Sequence, residues 1–295
     1  MSYSGQGTGT STDPFIITSW NEFVEACANT DNGTETYCEL ANDIYAPNTL
    51  STTVDGYRLR SLDGKGHTIW NWTVAPNSDV YINDDVWGFN FGYGGGSYRH
   101  IKNIKFKNVE CSGVGFIRIN PYNSATVQVK IDNVEIAGQF YGGTSIFARS
   151  NSSYVNNLII NKLGVNVKVN YGTFKFQSRI ESSLSMDNGN IKINFVTNNT
   201  SDYMFHQYNV ITKTTFELYG EHLTTSLYFG GNLTNCLIHG KTNNSLILMN
   251  GSGIIPVEDT IELHTAISSS RVCTTAQIKD ASYLASIGFP IGVEG

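Results

Sequence analysis

The chain has 295 residues, of which 40% are hydrophobic and only 15% charged, and its formal net charge at pH 7 is −6. These values describe a globular chain long enough to bury a sizeable core, as one long domain or at most two. No Lys/Arg cluster could neutralise a run of phosphates and no apolar stretch reaches about 18 residues, so the sequence excludes a nucleic-acid binder and a transmembrane helix.

The first segment, residues 1–12, is rich in Ser, Gly and Thr. It has neither the basic start nor the apolar stretch of a secretory signal, so we expect synthesis in a cytoplasm. We predict that this segment is flexible. A strand follows over residues 14–18.

The next segment has the pattern of a short amphipathic helix. Ser19 is the expected N-cap and Glu22 stands three residues later, the arrangement of a capping box. The helix is predicted to end near Asn29, and its apolar face consists of Trp20, Phe23, Val24 and Cys27. We assign residues 13–45 to an N-terminal capping strand and helix.

Short strands separated by Gly and Asn fill residues 46–255, and they carry an internal repeat. An Asn followed by alternating apolar residues recurs with aligned positions Asn103, Asn133, Asn157, Asn190 and Asn235. Repeats of roughly 20 to 30 residues, without helices between them, predict an all-β solenoid whose coils stack their strands in parallel. The alternative is an antiparallel sandwich, which would show more two-residue Asn-Gly hairpins than this chain has.

The segment Leu59–Ile69 reads Leu-Arg-Ser-Leu-Asp-Gly-Lys-Gly-His-Thr-Ile. It resembles the first coil of right-handed parallel β-helix proteins, in which such a run follows a capping segment. The region from Asp13 to Ile69 is similar to the amino-terminal part of β-helix proteins of bacteriophage virions and of gut-bacterial surface adhesins. The resemblance implies a single-stranded right-handed parallel β-helix, and it implies a homotrimer of the kind that phage β-helices form.

The sequence changes character again beyond Pro256. Residues 274–287 have the pattern of a second short helix, which Gly288 and Pro290 would end. We assign residues 256–295 to a small C-terminal cap or oligomerisation segment. Two capped ends predict one complete solenoid.

β-Helices that cleave polysaccharides use two or three carboxylates on one exposed face, as general acid and as base or nucleophile. If the chain is such an enzyme, the candidate catalytic residues are Glu110, Asp132 and Glu135. Asp132 and Glu135 are three residues apart, so on a regular strand we expect them on opposite faces. The sequence favours the alternative, in which each is a solvated carboxylate on a solenoid surface.

Aromatic residues alternate with Gly between residues 81 and 98. This composition suits stacking on sugar rings or a rigid subunit contact, and the candidate binding residues are Tyr81, Trp87, Tyr93 and Tyr98. The alternative is a core strand in which Trp87, Phe89 and Phe91 face inward.

The sequence contains no motif that is typical of a metal or cofactor site. Five cysteines form no paired motif and are expected to be buried free thiols, and the six histidines show no metal-binding spacing. We therefore predict no metal and no cofactor.

These expectations favour a bacteriophage virion structural protein made in the host bacterial cytoplasm. It would be a β-helical tail or head appendage that acts as a scaffold and in host-surface attachment. Its expected partners are itself, other virion proteins and a host cell-surface glycan, with no nucleic acid and no membrane insertion. The alternatives are a polysaccharide depolymerase on the same fold and a bacterial surface adhesin.

Overall fold

The computed structural model describes most of the first 220 residues and short strands beyond them. The described residues are 3–28, 35–47, 54–56, 58–74, 87–91, 98–112, 115–119, 128–141, 143–149, 157–170, 174–178, 183–196, 203–205, 209–220, 227–229, 232–234, 236–242, 246–248, 254–255, 262–266, 269–273, 280, 282 and 286. Only the backbone is described at residues 87, 148–149, 177–178, 183 and 203–205 and, Cys236 excepted, in the strands after residue 226.

The described elements are one helix and many short strands. The helix is α1 (Trp20–Ala28). The strands are β1 (Phe15–Ile17), β2 (Thr36–Leu40), β3 (Ile44–Tyr45), β4 (Val54–Gly56), β5 (Leu59–Asp63), β6 (Thr68–Trp70), β7 (Thr73–Val74), β8 (Trp87–Phe91), β9 (Tyr98–Cys111), β10 (Gly115–Ile119), β11 (Gln128–Phe140), β12 (Ser145–Arg149), β13 (Asn157–Val169), β14 (Lys175–Ser178), β15 (Ser183–Phe195), β16 (Tyr203–Phe205), β17 (Val210–Thr212), β18 (Thr215–Gly220), β19 (Leu227–Phe229), β20 (Asn232–Thr234), β21 (Cys236–Thr242), β22 (Leu246–Leu248), β23 (Ile254–Ile255), β24 (Glu262–Ala266) and β25 (Ser269–Cys273).

The strands pair in parallel across successive coils. The largest sheet has the order β1-β2-β5-β9-β11-β13-β15-β18-β21, and a second sheet has the order β4-β8-β10-β12-β14. From β9 to β14 the chain alternates between the two sheets, so each coil contributes one strand to each. The predicted all-β parallel β-helix with an N-terminal helix is confirmed, and the antiparallel sandwich is wrong.

Register places like residues above one another from coil to coil. Ile101 pairs with Ile131, which pairs with Ile160 in the next coil, and all of these side chains are buried. A coil is 30 residues long between Asn103 and Asn133 and 25 residues long between Asp187 and Thr212. A register shift of one residue would turn this apolar column outward, so the buried face fixes the register.

The backbone is left-handed at one equivalent position in successive coils of the largest sheet. These positions are Asn103, Asn133, Lys162, Asn188 and Lys213, with φ angles between 46° and 57°, and β9 has a second left-handed residue, Asn108, with φ 53°. The predicted Asn alignment is therefore right at the first two positions and wrong at Asn157 and Asn190, which pair with Gln128 and Gly164. Asn235 lies outside the described residues. The prediction failed because the bend of the third coil is occupied by Lys162 instead of Asn, and that of the fourth by Asn188, two residues before Asn190.

Aromatic side chains form a column through the interior. Phe116 packs edge-on against Phe106 with ring centroids 5.2 Å apart, and Phe140 continues the column to Phe174 at 5.9 Å. Phe174 in turn contacts Phe195, with centroids 6.4 Å apart. The T-shaped contacts are the arrangement that aromatic quadrupoles prefer, so the column stabilises coil stacking as well as burying apolar area.

The helix α1 closes one end of this column. Its Phe23 and Trp20 pack edge-on against Trp72, which is fully buried among the first aromatic rings of the interior. The backbone N–H of Glu22 donates to Ser19 Oγ at 3.3 Å, so Ser19 is the N-cap as predicted. The carboxylate of Glu22 reaches one residue further back than in a standard capping box, accepting from the N–H and the hydroxyl of Thr18.

Antiparallel elements meet the parallel sheet near both ends of the described chain. Gln6 forms an antiparallel bridge to Ile16 in β1, and β24 pairs antiparallel with β21 and with β25. Such elements cover strand edges that would otherwise recruit other strands. The predicted helix over residues 274–287 lies outside the described residues apart from 280, 282 and 286, and the predicted segment boundaries stay predictions.

Two further sequence features can be examined in the described part of the chain. The thiols of Cys27, Cys38, Cys111 and Cys236 are buried, as expected, and are not joined in disulfide bonds, and burial raises the pKa of Cys27 and Cys38. Across these described residues, no helix has the length and hydropathy needed to span a bilayer.

Candidate functional site

The outer surface of the largest sheet holds the carboxylates that the sequence analysis selected. Asp132 and Glu135 lie on either side of Asn133, and both are half-buried, whereas their neighbours Ile131 and Val134 are fully buried. The expectation that they point to opposite faces is wrong. Because Asn133 is left-handed, with φ 54°, it resets the inside–outside alternation, and both carboxylates face outward.

Asp132 takes part in a polar ladder along this bend. Its Oδ1 accepts from Asn161 Nδ2 at 2.9 Å, and its Oδ2 lies 3.5 Å from Lys130 Nζ. Asn188 Nδ2 donates to Asn161 Oδ1 at 3.3 Å, which carries the ladder into the next coil. Asp132 is thus held by structural partners on its own strand and on the following one.

Asp63 stands at the other end of the ladder and is nearly buried, with 7% of its side chain exposed. It accepts from the N–H of Lys65 at 2.9 Å and from Asn103 Nδ2 at 3.2 Å, and Lys102 Nζ lies 3.1 Å away. Burial acts to raise the pKa of Asp63, but these three donors together hold that pKa below its ordinary value. The next residue, Gly64, is required sterically, because a Cβ there would lie 2.4 Å from the carbonyl oxygen of Asn103.

Glu135 is bridged to the preceding coil. Its Oε2 lies 2.7 Å from Lys107 Nζ, and its Oε1 lies 3.7 Å from Lys105 Nζ. Glu110 is half-buried on β9, where it pairs with Thr73 on one side and Gln139 on the other. Glu135 pairs with Lys105 and Glu110 pairs with Gln139, so Glu110 lies four to five positions further along the sheet and beyond the left-handed residue Asn108. The strand pairing therefore does not place Glu110 beside Glu135.

The predicted aromatic binding residues are described only in part. Tyr81 and Tyr93 lie outside the described residues, and for Trp87 only the backbone in β8 is described. Phe89 and Phe91 on the same strand are fully buried, as the core-strand alternative requires. Tyr98 is half-buried beneath the guanidinium of Arg60, whose Cζ lies 5.6 Å from its ring centroid.

A different pair of aromatic side chains faces outward near the capped end. Tyr45 on β3 pairs with Trp70 on β6, and their rings are nearly parallel, with an interplanar angle of 12° and centroids 6.4 Å apart. Tyr45 is 62% exposed, which makes it the most exposed large hydrophobic side chain of the described residues. Lys107 follows Trp70 in the next coil.

Asp43 fixes the orientation of Trp70. Its Oδ2 accepts from Trp70 Nε1 at 3.1 Å, its Oδ1 accepts from the N–H of Thr68 at 3.0 Å, and His67 Nδ1 lies 3.4 Å from Oδ1. The bond from Trp70 is the largest cause of a lowered pKa for Asp43, and together with those from Thr68 and His67 it outweighs the raising effect of burial. Asp43 is therefore a carboxylate at neutral pH.

This pair was not predicted from the sequence. The two rings are 25 positions apart in the chain, and neither stands in an aromatic-rich segment. The alternation of Ile44 and Ile69 inward with Tyr45 and Trp70 outward is a usable signal only once the two strands are known to pair.

No side-chain cluster with the composition of a metal site occurs among the residues that the structure describes, where groups of three or more His, Cys, Asp and Glu are absent. The arrangements that do occur are ion pairs, an amide and carboxylate ladder, and an exposed aromatic pair. Chemically they can bind and position a ligand, and the carboxylates of Asp132 and Glu135 are already engaged.

Comparison with known proteins assigns no family and no function to the chain. No protein-family model matches the chain, and no curated protein matches it. A solved structure, of a candidate immunoglobulin A1 protease from Bacteroides ovatus, aligns over 95% of this chain and 89% of that one, with a TM-score of 0.49 and 14% identity. We draw no functional conclusion from a similarity of this size.

Proposed function

We propose that the chain is a bacteriophage virion structural protein, a β-helical tail or head appendage that acts as a scaffold and attaches the particle to a host surface. The observation that carries the proposal is the engagement of the outward carboxylates. Asp132 and Glu135 are occupied by Lys and Asn partners, while an aromatic pair stands open beside a fixed carboxylate. Such a surface suits holding a ligand better than transferring a proton to one.

The fold supports the scaffold part of this proposal. Parallel coils with an aromatic interior bury their apolar side chains against the coils above and below, so the rod is stiff along its axis. The low charge suits a rod of stacked coils, because like charges on adjacent strands would repel. In the same proposal, the chain forms a homotrimer and docks onto other virion proteins.

Two measurements test the proposal. Light scattering on the purified chain gives its mass in solution, and we expect about three times the 32.4 kDa of one chain. A monomer at high concentration would overturn the trimeric appendage. The neighbouring genes provide the second measurement, since we expect portal and capsid genes to flank this one.

The second candidate is a polysaccharide depolymerase, and one observation favours it. The left-handed bend at Asn133 turns Asp132 and Glu135 to the same outward surface, three residues apart in the chain. Release of reducing ends from a capsular polysaccharide, abolished by Asp132→Asn or Glu135→Gln, would establish the depolymerase. Release that persists in both variants would clear these two residues of a catalytic role.

A further inference from the structure

We propose that Tyr45 and Trp70 form a stacking platform for one pyranose ring of a saccharide, with Asp43 as the hydrogen-bond acceptor at its rim. This inference rests on the proposed attachment function and specifies its ligand. It uses residues outside the aromatic segment that the sequence analysis selected.

The two rings have the geometry of a stacking surface. They lie on adjacent parallel strands, nearly parallel and 6.4 Å apart, and Trp70 is half-buried beneath the more exposed Tyr45. Within the described sheet, β3 pairs with β6 alone, so Tyr45 ends this column of outward side chains. A flat apolar face is thus open to a ring from solution.

Trp70, the lower ring of the platform, is held in place before any ligand arrives. Trp70 is held at its Nε1 by Asp43, and Asp43 is held in turn by the N–H of Thr68. The strands beneath carry the fully buried side chains of Ile44 and Ile69. A ring that is already fixed loses little conformational entropy on binding, so the contact retains more of its free energy.

The polar groups beside the two rings, on Asp43 and His67, suit the edge of a sugar ring. A carboxylate has about four lone-pair positions, and Trp70, Thr68 and His67 take three of those on Asp43. The side chains of Asp43 and His67 remain 42% and 37% exposed. An acceptor and an imidazole beside an apolar face match a ring that is apolar on its face and carries hydroxyl donors at its edge, which is a pyranose.

The size of the patch favours a saccharide over a protein partner. The described neighbours of Tyr45 along the chain include exposed Asn42 and half-buried Asp43 on one side and exposed Pro47 on the other, so the apolar area consists of little more than the two rings and one proline. A protein interface of ordinary size buries about 800 Å² on each partner around a larger apolar centre. One sugar ring needs no more than the two aromatic faces.

The test measures binding of the full chain to an array of immobilised oligosaccharides of glucose, galactose, mannose and N-acetylglucosamine. The variants are Tyr45→Ala and Tyr45→Phe, and Tyr219→Ala is the matched control. Tyr219 is half-buried on the same outward surface, and its hydroxyl donates to Glu217 at 2.8 Å. Because Tyr45 is 62% exposed, its truncation leaves the fold intact, which circular dichroism verifies.

We expect the wild-type chain and the Tyr45→Phe and Tyr219→Ala variants to retain at least one saccharide, with the dissociation constant of Tyr45→Ala raised about tenfold or more. Equal binding by wild type and Tyr45→Ala would overturn the platform and leave attachment standing. No retention on the array by a wild-type chain that adheres to bacterial cells would also overturn the platform alone. Failure to bind both saccharides and cells would contradict the platform and the attachment function together.

Discussion

At the scale of single residues, the bends of the coils depend on side chains that accept a left-handed backbone. Asn133 has φ 54° and donates from Nδ2 to Asn103 Oδ1 at 3.0 Å. Asn tolerates this conformation because its short side chain can hydrogen-bond locally, whereas most residues lose about 1–2 kcal/mol there. Lys162 and Lys213 adopt the same conformation, so these two bends carry strain that the Asn bends avoid.

Replacing Asn133 with Ala should therefore lower the free energy of unfolding by about 2 kcal/mol, through the lost hydrogen bond and the strained backbone. Urea denaturation measures this change. Asn166→Ala is the matched control, since Asn166 is exposed on the same sheet without a left-handed φ, and we expect a change below about 0.5 kcal/mol. Equal effects of the two substitutions would contradict a special role for the bend.

The stability of the folded chain depends on pH in part through the single residue Asp63. Its pKa in the folded chain is lowered from 3.8, so the ionised form stabilises the fold. That contribution is fully present above the unfolded pKa and is lost as the pH falls through the lower folded pKa. We expect Asp63→Asn to cost about 2 kcal/mol at pH 7 and progressively less below pH 4. Denaturation at several pH values measures the difference, and a difference that is constant with pH would exclude this assignment.

At the scale of elements, the interior aromatic column and the capping helix stabilise the solenoid in different ways. The column joins coils that are distant in sequence, whereas α1 is specified by neighbouring residues. Phe140 contacts Phe116 and Phe174 in the coils on either side. The helix depends on Ser19 and Glu22, which lie beside its first turn.

Phe140→Ala should lower the free energy of unfolding by about 3–5 kcal/mol, because the substitution leaves a cavity in the column. Thermal unfolding followed by circular dichroism tests this loss. Val210→Ala removes an exposed apolar side chain, 44% accessible, and we expect little change from it. Similar destabilisation by both substitutions would show that Phe140 in the column contributes no more to stability than an exposed apolar side chain.

The cap is tested by Glu22→Ala, which removes the acceptor for the N–H and hydroxyl of Thr18. We expect a loss of about 1 kcal/mol, since capping interactions have this magnitude. The exposed Asn21 in the same turn is the control position, as Asn21→Ala removes no capping bond that the structure describes. If Asn21→Ala destabilises the chain as much as Glu22→Ala, the loss of the capping contact does not explain the destabilisation.

The capping helix was predicted from residues that are neighbours in the sequence. The features that were not predicted depend on strand pairing and backbone conformation, which the sequence does not show directly. Ser19 and Glu22 stand in one turn, so the capping box is visible in the chain itself. The coil register was only half predicted, because Lys162 occupies a bend that Asn occupies elsewhere. Tyr45 and Trp70 meet through strand pairing across 25 residues, and Asp132 and Glu135 share a surface because of one left-handed residue between them.

At the scale of the whole molecule, we propose that this solenoid holds a saccharide without cleaving it. The outward carboxylates of Asp132 and Glu135 are occupied by partners, and the open surface is aromatic. The most direct test is the molar mass of a purified capsular polysaccharide that the immobilised chain retains, measured by light scattering before and after incubation. We expect retention with an unchanged molar mass. A falling molar mass, or no polysaccharide retained at all, would contradict this proposal.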